Sequence, residues 1–218
     1  MKKKIVFGLS LFLLLTTITS QQKIIFSKFN LKQIIIENNF LIKDKEIKKL
    51  LVPIYNKNLI LLKNKDVERA LLQNSFIDSF KLKKKYPNTL IIEIYEKRPI
   101  AILFYKKNKF YLSRKIDLIE FSNLKNFQNL PYVFGNKDEF KIFYDNLKKI
   151  NFPLNQIKKF IYYETNRWDL ETNDKKLIKL PSKNYIKSLQ NYLEIESKKN
   201  FKKYVLFDYR IKDQLILK

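Results

Sequence analysis

Glycine is what this chain does without: its 218 residues contain only Gly8 and Gly135. Tight turns that need positive φ must therefore be made by other residues, and asparagine is the cheapest substitute. The two glycines lie too far apart to write GxGxxG or a P-loop, which removes the common phosphate-cradling folds. There are also 0 Cys and 0 His. Disulfide frameworks, thiol nucleophiles and Cys-based zinc sites are excluded, and so are the usual neutral-pH general base and the commonest metal ligand. What remains is a scaffold, a binder, or an enzyme of carboxylates and lysines.

The chain is strongly basic, with 45 Lys+Arg against 21 Asp+Glu and a net charge of +24. Abundant Lys, Asn, Ile, Phe and Tyr beside scarce Gly and Ala are what AT-rich codons would produce, so codon bias and function stand as two open sources of this charge. A basic surface attracts nucleic acid or anionic lipid whatever its origin. At 45% hydrophobic and 15% aromatic the chain can also bury a real core.

The first twenty residues, MKKKIVFGLSLFLLLTTITS, set the compartment. Lys2, Lys3 and Lys4 form a basic head, and Ile5 to Ile18 carries no charge and no polar face. Ile5, Phe7, Leu11, Leu14 and Ile18 are the expected anchor residues. The run is short for a membrane span of about 20 residues and close to a signal-peptide core of about 15. The missing A-x-A before Gln21 argues for an uncleaved anchor; length argues for cleavage. Either way the remainder lies outside the cytoplasm, where nucleic acid is not the usual partner. The aromatic–lysine stretch Phe104 to Lys107 then reads as strand rather than as a base-stacking platform.

Periodicity predicts an α+β chain of three segments: 1–22 as head and anchor, 23–98 as a small domain, and 99–218 as a second one. In the small domain a strand around Ile34–Ile36 breaks at Asn38-Asn39. Helices are expected after Asp44, with Ile47, Leu50 and Leu51 at i, i+3 and i+4, and from an Asn64 cap, with Val67, Ala70 and Leu71, and Leu72 as a further candidate, on one face. Two strands flank a Tyr86-Pro87-Asn88 turn, and the second alternates Leu90, Ile92 and Ile94 with Ile91, Glu93 and Tyr95. The order is β-α-α-β-β. Beyond Arg98-Pro99 a mixed sheet with flanking helices is expected. One helix runs from about Asp138 to Ile150, and another, capped by Ser182, covers Tyr185 to Glu196. Trp168 belongs in the core with Arg167 bracing it, Asp169 and Glu171 share a solvated strand face, and the chain closes on strands at Tyr204–Asp208 and Leu215–Leu217, a segment expected to offer an exposed edge.

KLKKKYPNTLIIEIYEKRPIAIL (Lys81 to Leu103) resembles the last hairpin and exit of a POTRA domain in the bacterial cell-division family FtsQ/DivIB. ENNFLIKDKEI, NLPYVFGN, NRWDLETNDKKLIKLP and VLFDYR follow the family's other elements in order. Asn38 replaces the glycine usual in the first turn, while Lys175 or Lys176, and Ile116, stand near two others.

The resemblance implies a non-enzymatic divisome scaffold of the inner membrane, single-pass, with a cytoplasmic N-terminus and a periplasmic C-terminal domain at the septum. It implies FtsB/FtsL-like partners, and no cofactor, metal, nucleic acid or small-molecule substrate. The expected mode is β-augmentation of an exposed edge strand. Arg210, Ile211, Lys212, Gln214 and Ile216 are its expected contacts, with Arg210 offered to a partner carboxylate. Glu96, Arg98 and Pro99 mark the domain seam, Glu96 as a local ion partner. The POTRA domain is the expected recruitment surface. Three alternatives stay open: a POTRA-bearing export or outer-membrane assembly factor, a basic periplasmic lipid- or wall-polymer-binding protein, and a periplasmic carboxylate enzyme.

Overall fold

The computed structural model describes residues 2–16 and 27–218, in two compact units, Met1–Lys97 and Arg98–Lys218. The first contains a helix, α1 (Lys2–Thr16). The side chains of Ile5, Phe7 and Leu11 are exposed on it. The side chain of Leu14 and the whole of Ile18 lie outside the described residues. Among those residues no helix is long and apolar enough to cross a membrane.

The remainder of this unit is β1 (Gln33–Glu37), α2 (Asp44–Leu50), α3 (Asn64–Leu71), β2 (Ile77–Lys85) and β3 (Thr89–Glu96). The expected β-α-α-β-β order is what forms. The sheet order is β1-β3-β2, with β1 parallel to β3 and β2 antiparallel to it. Alternation sends Leu90, Ile92 and Ile94 into the core with Ile34 and Ile36, against Ile47 and Leu51 after α2 and Val67 and Leu71 of α3. Each such side chain contributes about 1.5–3 kcal/mol by burial. Asn38 makes its turn at φ 63, and its Nδ2 donates to the Ile94 carbonyl. Asn64 is the first helical residue rather than the cap. Lys63 takes the N-cap position, and its backbone N–H reaches the Asp66 carboxylate at 3.4 Å. An acid at N3 does the work expected of the asparagine.

The second unit is a nine-stranded mixed sheet in the order β12-β11-β10-β9-β8-β7-β4-β5-β6. In chain order these are β4 (Pro99–Tyr105), β5 (Asn108–Ser113), β6 (Leu118–Glu120), β7 (Tyr132–Phe134), β8 (Ile157–Tyr163), β9 (Arg167–Thr172), β10 (Leu177–Lys179), β11 (Leu206–Asp208) and β12 (Ile216–Leu217). Adjacent parallel strands need a crossover. α4 (Lys137–Lys149) supplies it between β7 and β8, and α5 (Tyr185–Glu196) between β10 and β11. Phe140, Phe143 and Leu147 of α4 and Leu189, Tyr192 and Ile195 of α5 enter one core with Val133, Phe160, Trp168, Leu170, Ile178 and Phe207. Trp168 stacks on Phe143 with centroids 4.9 Å apart and planes inclined by 12°.

Three expectations fail here. Asn184, at φ 59, holds the N-cap position of α5 in place of Ser182. Arg167 does not brace Trp168. Neighbouring strand residues face opposite ways, so its guanidinium lies 4.2 Å over the Tyr163 ring. The closing segment from Tyr204 to Leu217 forms its two expected strands, as β11 and β12, but it is not an exposed edge throughout. β11 lies between β10 and β12, with Phe207 fully buried, and only the two residues of β12 form the edge.

The turns where glycine is missing are left-handed all the same: Ile116 sits at φ 63 and Lys175 at φ 64. Gly135, at φ 150, is irreplaceable for a second reason. A Cβ there would lie 2.5 Å from Tyr162 Cβ and 3.6 Å from Trp168 Cη2. Gly135→Ala is expected to cost about 1–3 kcal/mol in urea unfolding by overpacking. Lys175→Gly, which relieves an exposed left-handed residue, should raise stability by up to about 1 kcal/mol. A Gly135→Ala midpoint equal to the parent's would refute the first assignment, and a Lys175→Gly midpoint below it the second.

Candidate functional site

Both crossover helices cover one face of the second sheet, and its other face carries neither of them. Strand alternation and register place a row of residues across it: Phe104, Phe134, Ile161, Asp169, Lys179, Asp208 and Ile216. The row is aromatic at one end, where Phe104 stacks on Phe134 at 4.8 Å and Lys109 Nζ lies 5.1 Å from the Phe104 ring. It is charged at the other, beside the β12 edge.

At that charged end the backbone N–H of Arg210 donates to Asp208 Oδ1. The guanidinium clasps the same carboxylate, Nε at 2.8 Å from Oδ1 and Nη2 at 2.6 Å from Oδ2. These bonds hold the Asp208 carboxyl below its ordinary pKa. Asp169 is 1% exposed, not solvated as expected, and burial pushes its carboxyl up against the opposing pull of Arg167. Arg167 Nε stands 3.5 Å from Asp169 Oδ1 without forming a hydrogen bond. Glu171, on the same strand face, pairs with Lys159 at 2.7 Å. Each acid of the proposed carboxylate pair thus has its own cation.

After Asp208 the chain turns through Tyr209 to Leu215 and returns as β12. This turn and residues 181–191 enclose an open groove of about 810 Å³. Lys183, Lys187, Arg210 and Lys212 line it, with Asp213 as its one acid. The Tyr209 hydroxyl, 3.1 Å from Asn191 Oδ1, ties turn to helix. Of the five expected contact residues, Arg210, Ile211, Lys212 and Gln214 line the groove, Ile211 being 50% exposed. Ile216 lies in β12 opposite Asp208 and is 39% exposed. All five therefore share one corner of the sheet.

Sequence reasoning missed Lys183, just before the Asn184 cap, and Lys187 and Asn191, which stand four residues apart on the polar side of α5 and were a readable signal. It also missed Lys179, which becomes the neighbour of both buried acids only because β10 lies between β9 and β11. At the seam, Glu96 finds backbone partners: its carboxylate accepts from the N–H groups of Phe40, Leu41 and Ile42 at 2.8–3.0 Å. Arg98 is exposed, and Pro99 opens β4 as a buried residue.

Residues 29–97 match the profile of the POTRA domain, FtsQ-type. A POTRA unit followed by a large mixed sheet is therefore the class of protein at hand. Among curated relatives, the cell division protein FtsQ of Rickettsia felis is 27% identical over 177 residues, covering 79% of this chain and 64% of the relative. FtsQ of Rickettsia bellii matches to the same extent. FtsQ of Rhizobium meliloti is 22% identical over 134 residues, 61% of this chain and 43% of the relative. The chain carries a POTRA domain of the FtsQ type at residues 29–97 and is similar beyond it to curated FtsQ cell division proteins, and it spans about 64% of the length of the Rickettsia relatives. A solved structure of the major extracytoplasmic domain of the division protein DivIB from Geobacillus stearothermophilus, in its trans isomer, is 18% identical with a TM-score of 0.35. That likeness covers 47% of this chain and 93% of the other.

The two buried acids should respond oppositely to pH. Asp208, with a lowered pKa, contributes stability that is complete above its unfolded value of about 3.9 and is lost as pH falls through the folded value. Asp208→Asn should cost about 1–2 kcal/mol at neutral pH and progressively less as pH falls through the folded value, read by urea unfolding. Asp169→Asn should narrow the gap to wild type, or reverse it, as pH rises above about 4, because it removes a carboxylate whose charged form the fold disfavours.

Proposed function

We propose that this chain is a non-enzymatic scaffold of the division machinery, held at the inner membrane by its N-terminal apolar segment. Its two folded units then lie on the periplasmic side at the septum, with 23–98 as the POTRA domain and 99–218 as the C-terminal β domain. α1 extends only about 22 Å at 1.5 Å per residue, less than the roughly 30 Å hydrocarbon core. The apolar run continues in sequence to Ile18, with uncharged residues to Gln22. Glu96, Arg98 and Pro99 form the connection between the domains on this reading, and the POTRA unit is the surface for recruitment.

Partner binding is assigned to the corner built by β12 and the groove beside it, and the partner to the FtsB/FtsL-like proteins. The observation that carries this is the edge itself. Lys218 exchanges hydrogen bonds with Leu206, so by antiparallel alternation the N–H and C=O of Leu217 point away from β11. An incoming strand can pair there, and the cationic groove suits an acidic segment next to it. Arg210 is held by Asp208 through one edge of its guanidinium, which leaves further donors for a partner carboxylate.

The test is a binding isotherm between the full chain and the periplasmic part of the same organism's FtsB-like protein. Arg210→Glu should weaken binding by at least about 2 kcal/mol. Removing residues 216–218 should abolish it while the fold survives; deleting from Tyr204 would also remove the buried Phe207 and test only folding. Unchanged affinity in both variants sinks the assignment of this corner. Binding that vanishes with modest salt and ignores both changes favours an anionic polymer or lipid instead.

A further inference from the structure

A second surface lies in the POTRA unit, at the end of its sheet where β1 and β3 begin and β2 finishes. Three segments meet there. The Leu31 N–H donates to the Lys57 carbonyl, and the Lys32 N–H to the Asn88 carbonyl, both at 2.9 Å. The Leu59 N–H reaches the Phe29 carbonyl at 2.7 Å, and the Phe29 and Tyr86 rings pack edge to face at 6.0 Å. Lys84 Nζ donates to the carbonyls of Ile60 and Leu62, fastening that loop to the end of β2.

The composition of this end is one-sided. Segments 27–33, 56–65 and 81–88 hold nine lysines and no acidic residue. Out of this basic field project apolar tips: Leu61 is 69% exposed, Tyr86 54% and Ile60 44%. The acids Glu37, Asp78 and Glu96 fall at the opposite ends of the same strands. The basic end is also where the chain arrives from α1. Residues 17–26 can span at most about 36 Å, so this end stays close to whatever holds α1.

We propose that this end of the POTRA unit docks on an anionic phospholipid surface, with Leu61, Ile60 and Tyr86 entering the interface and the lysines lying over the headgroups. The inference rests on the reading of the N-terminal segment as a membrane anchor. Charge complementarity selects the occupant. Exposed aliphatic tips inside a field rich in lysine, with Asp66 beside Lys63 and Glu93 opposite Lys81 as its bordering acids, suit a surface that is anionic outside and apolar just beneath. Docking would set the distance and tilt of the POTRA unit above the bilayer.

The chain has no cysteine, so single labels are unambiguous. The full-length protein is reconstituted into vesicles of phosphatidylcholine alone or with phosphatidylglycerol. An environment-sensitive fluorophore is placed at Leu61→Cys, at Phe40→Cys (79% exposed, in the loop beside Glu96) or at Phe7→Cys in α1. The label at 61 should shift to the blue and be quenched by spin-labelled lipid only in the anionic vesicles; the label at 40 should stay aqueous in both. Lys57→Glu, Lys63→Glu and Lys85→Glu together should lower the lipid-bound fraction at 61 at least about tenfold without moving the label at 7. An aqueous label at 61 beside a lipid-embedded label at 7 overturns the docking surface and leaves the anchor standing. An aqueous label at 7 overturns the anchor, and vesicle flotation of the same protein then decides docking on its own. Equal blue shifts at 61 in both vesicle types overturn the role of charge.

Discussion

The second unit turns on the inward direction of Trp168. Its stack on Phe143 fixes which face of β9 meets α4, and the tight passage of Gly135 over Tyr162 lets β7 and β8 close around it. Strand period does the rest. With Trp168 and Leu170 facing the helices, Arg167, Asp169 and Glu171 must lie on the opposite face, and a slip of one residue would turn the wrong set toward the helices. The charged row beside the partner corner is thus a consequence of an aromatic contact on the far side of the sheet.

A chain nearly free of glycine still needs left-handed residues, and it finds them. Asn38, Asn56, Asn151, Asn166 and Asn184 all adopt positive φ, as do Lys106, Ile116, Lys175 and Asp213. Asparagine carries this conformation at little cost, whereas a β-branched residue such as Ile116 does so only because the surrounding fold holds it. Ile116 is 4% exposed, so burial offsets its backbone strain. Only at Gly135 does space, and not φ alone, rule out every side chain.

Both candidate surfaces arise where a sheet ends, for different reasons. At β12 the ladder stops with backbone groups still directed outward, and recognition there is a matter of hydrogen-bond geometry beside a cationic groove. At the base of the POTRA unit the backbone is already satisfied by the bonds among residues 29–33, 57–62 and 84–88, and what is left over is charge and apolar surface. The first suits a strand and the second an interface.

Local pattern determined a good deal by itself. The β-α-α-β-β order, the buried alternation of Leu90, Ile92 and Ile94, the apolar face of α4 and the core position of Trp168 follow from periodicities of two and 3.6, which any segment carries alone. The motifs that resemble the FtsQ/DivIB family were likewise legible as residues. Strand order was not. That β10 lies between β9 and β11 depends on pairings between distant segments, and it alone buries Asp169 and Asp208 beside Lys179. The same pairings made β11 an interior strand and left β12 as the edge. The clasp of Arg210 on Asp208 joins residues two apart and is local, so what the pairings decided there is only that the carboxylate it holds is buried beside Lys179, a contact no single segment can arrange.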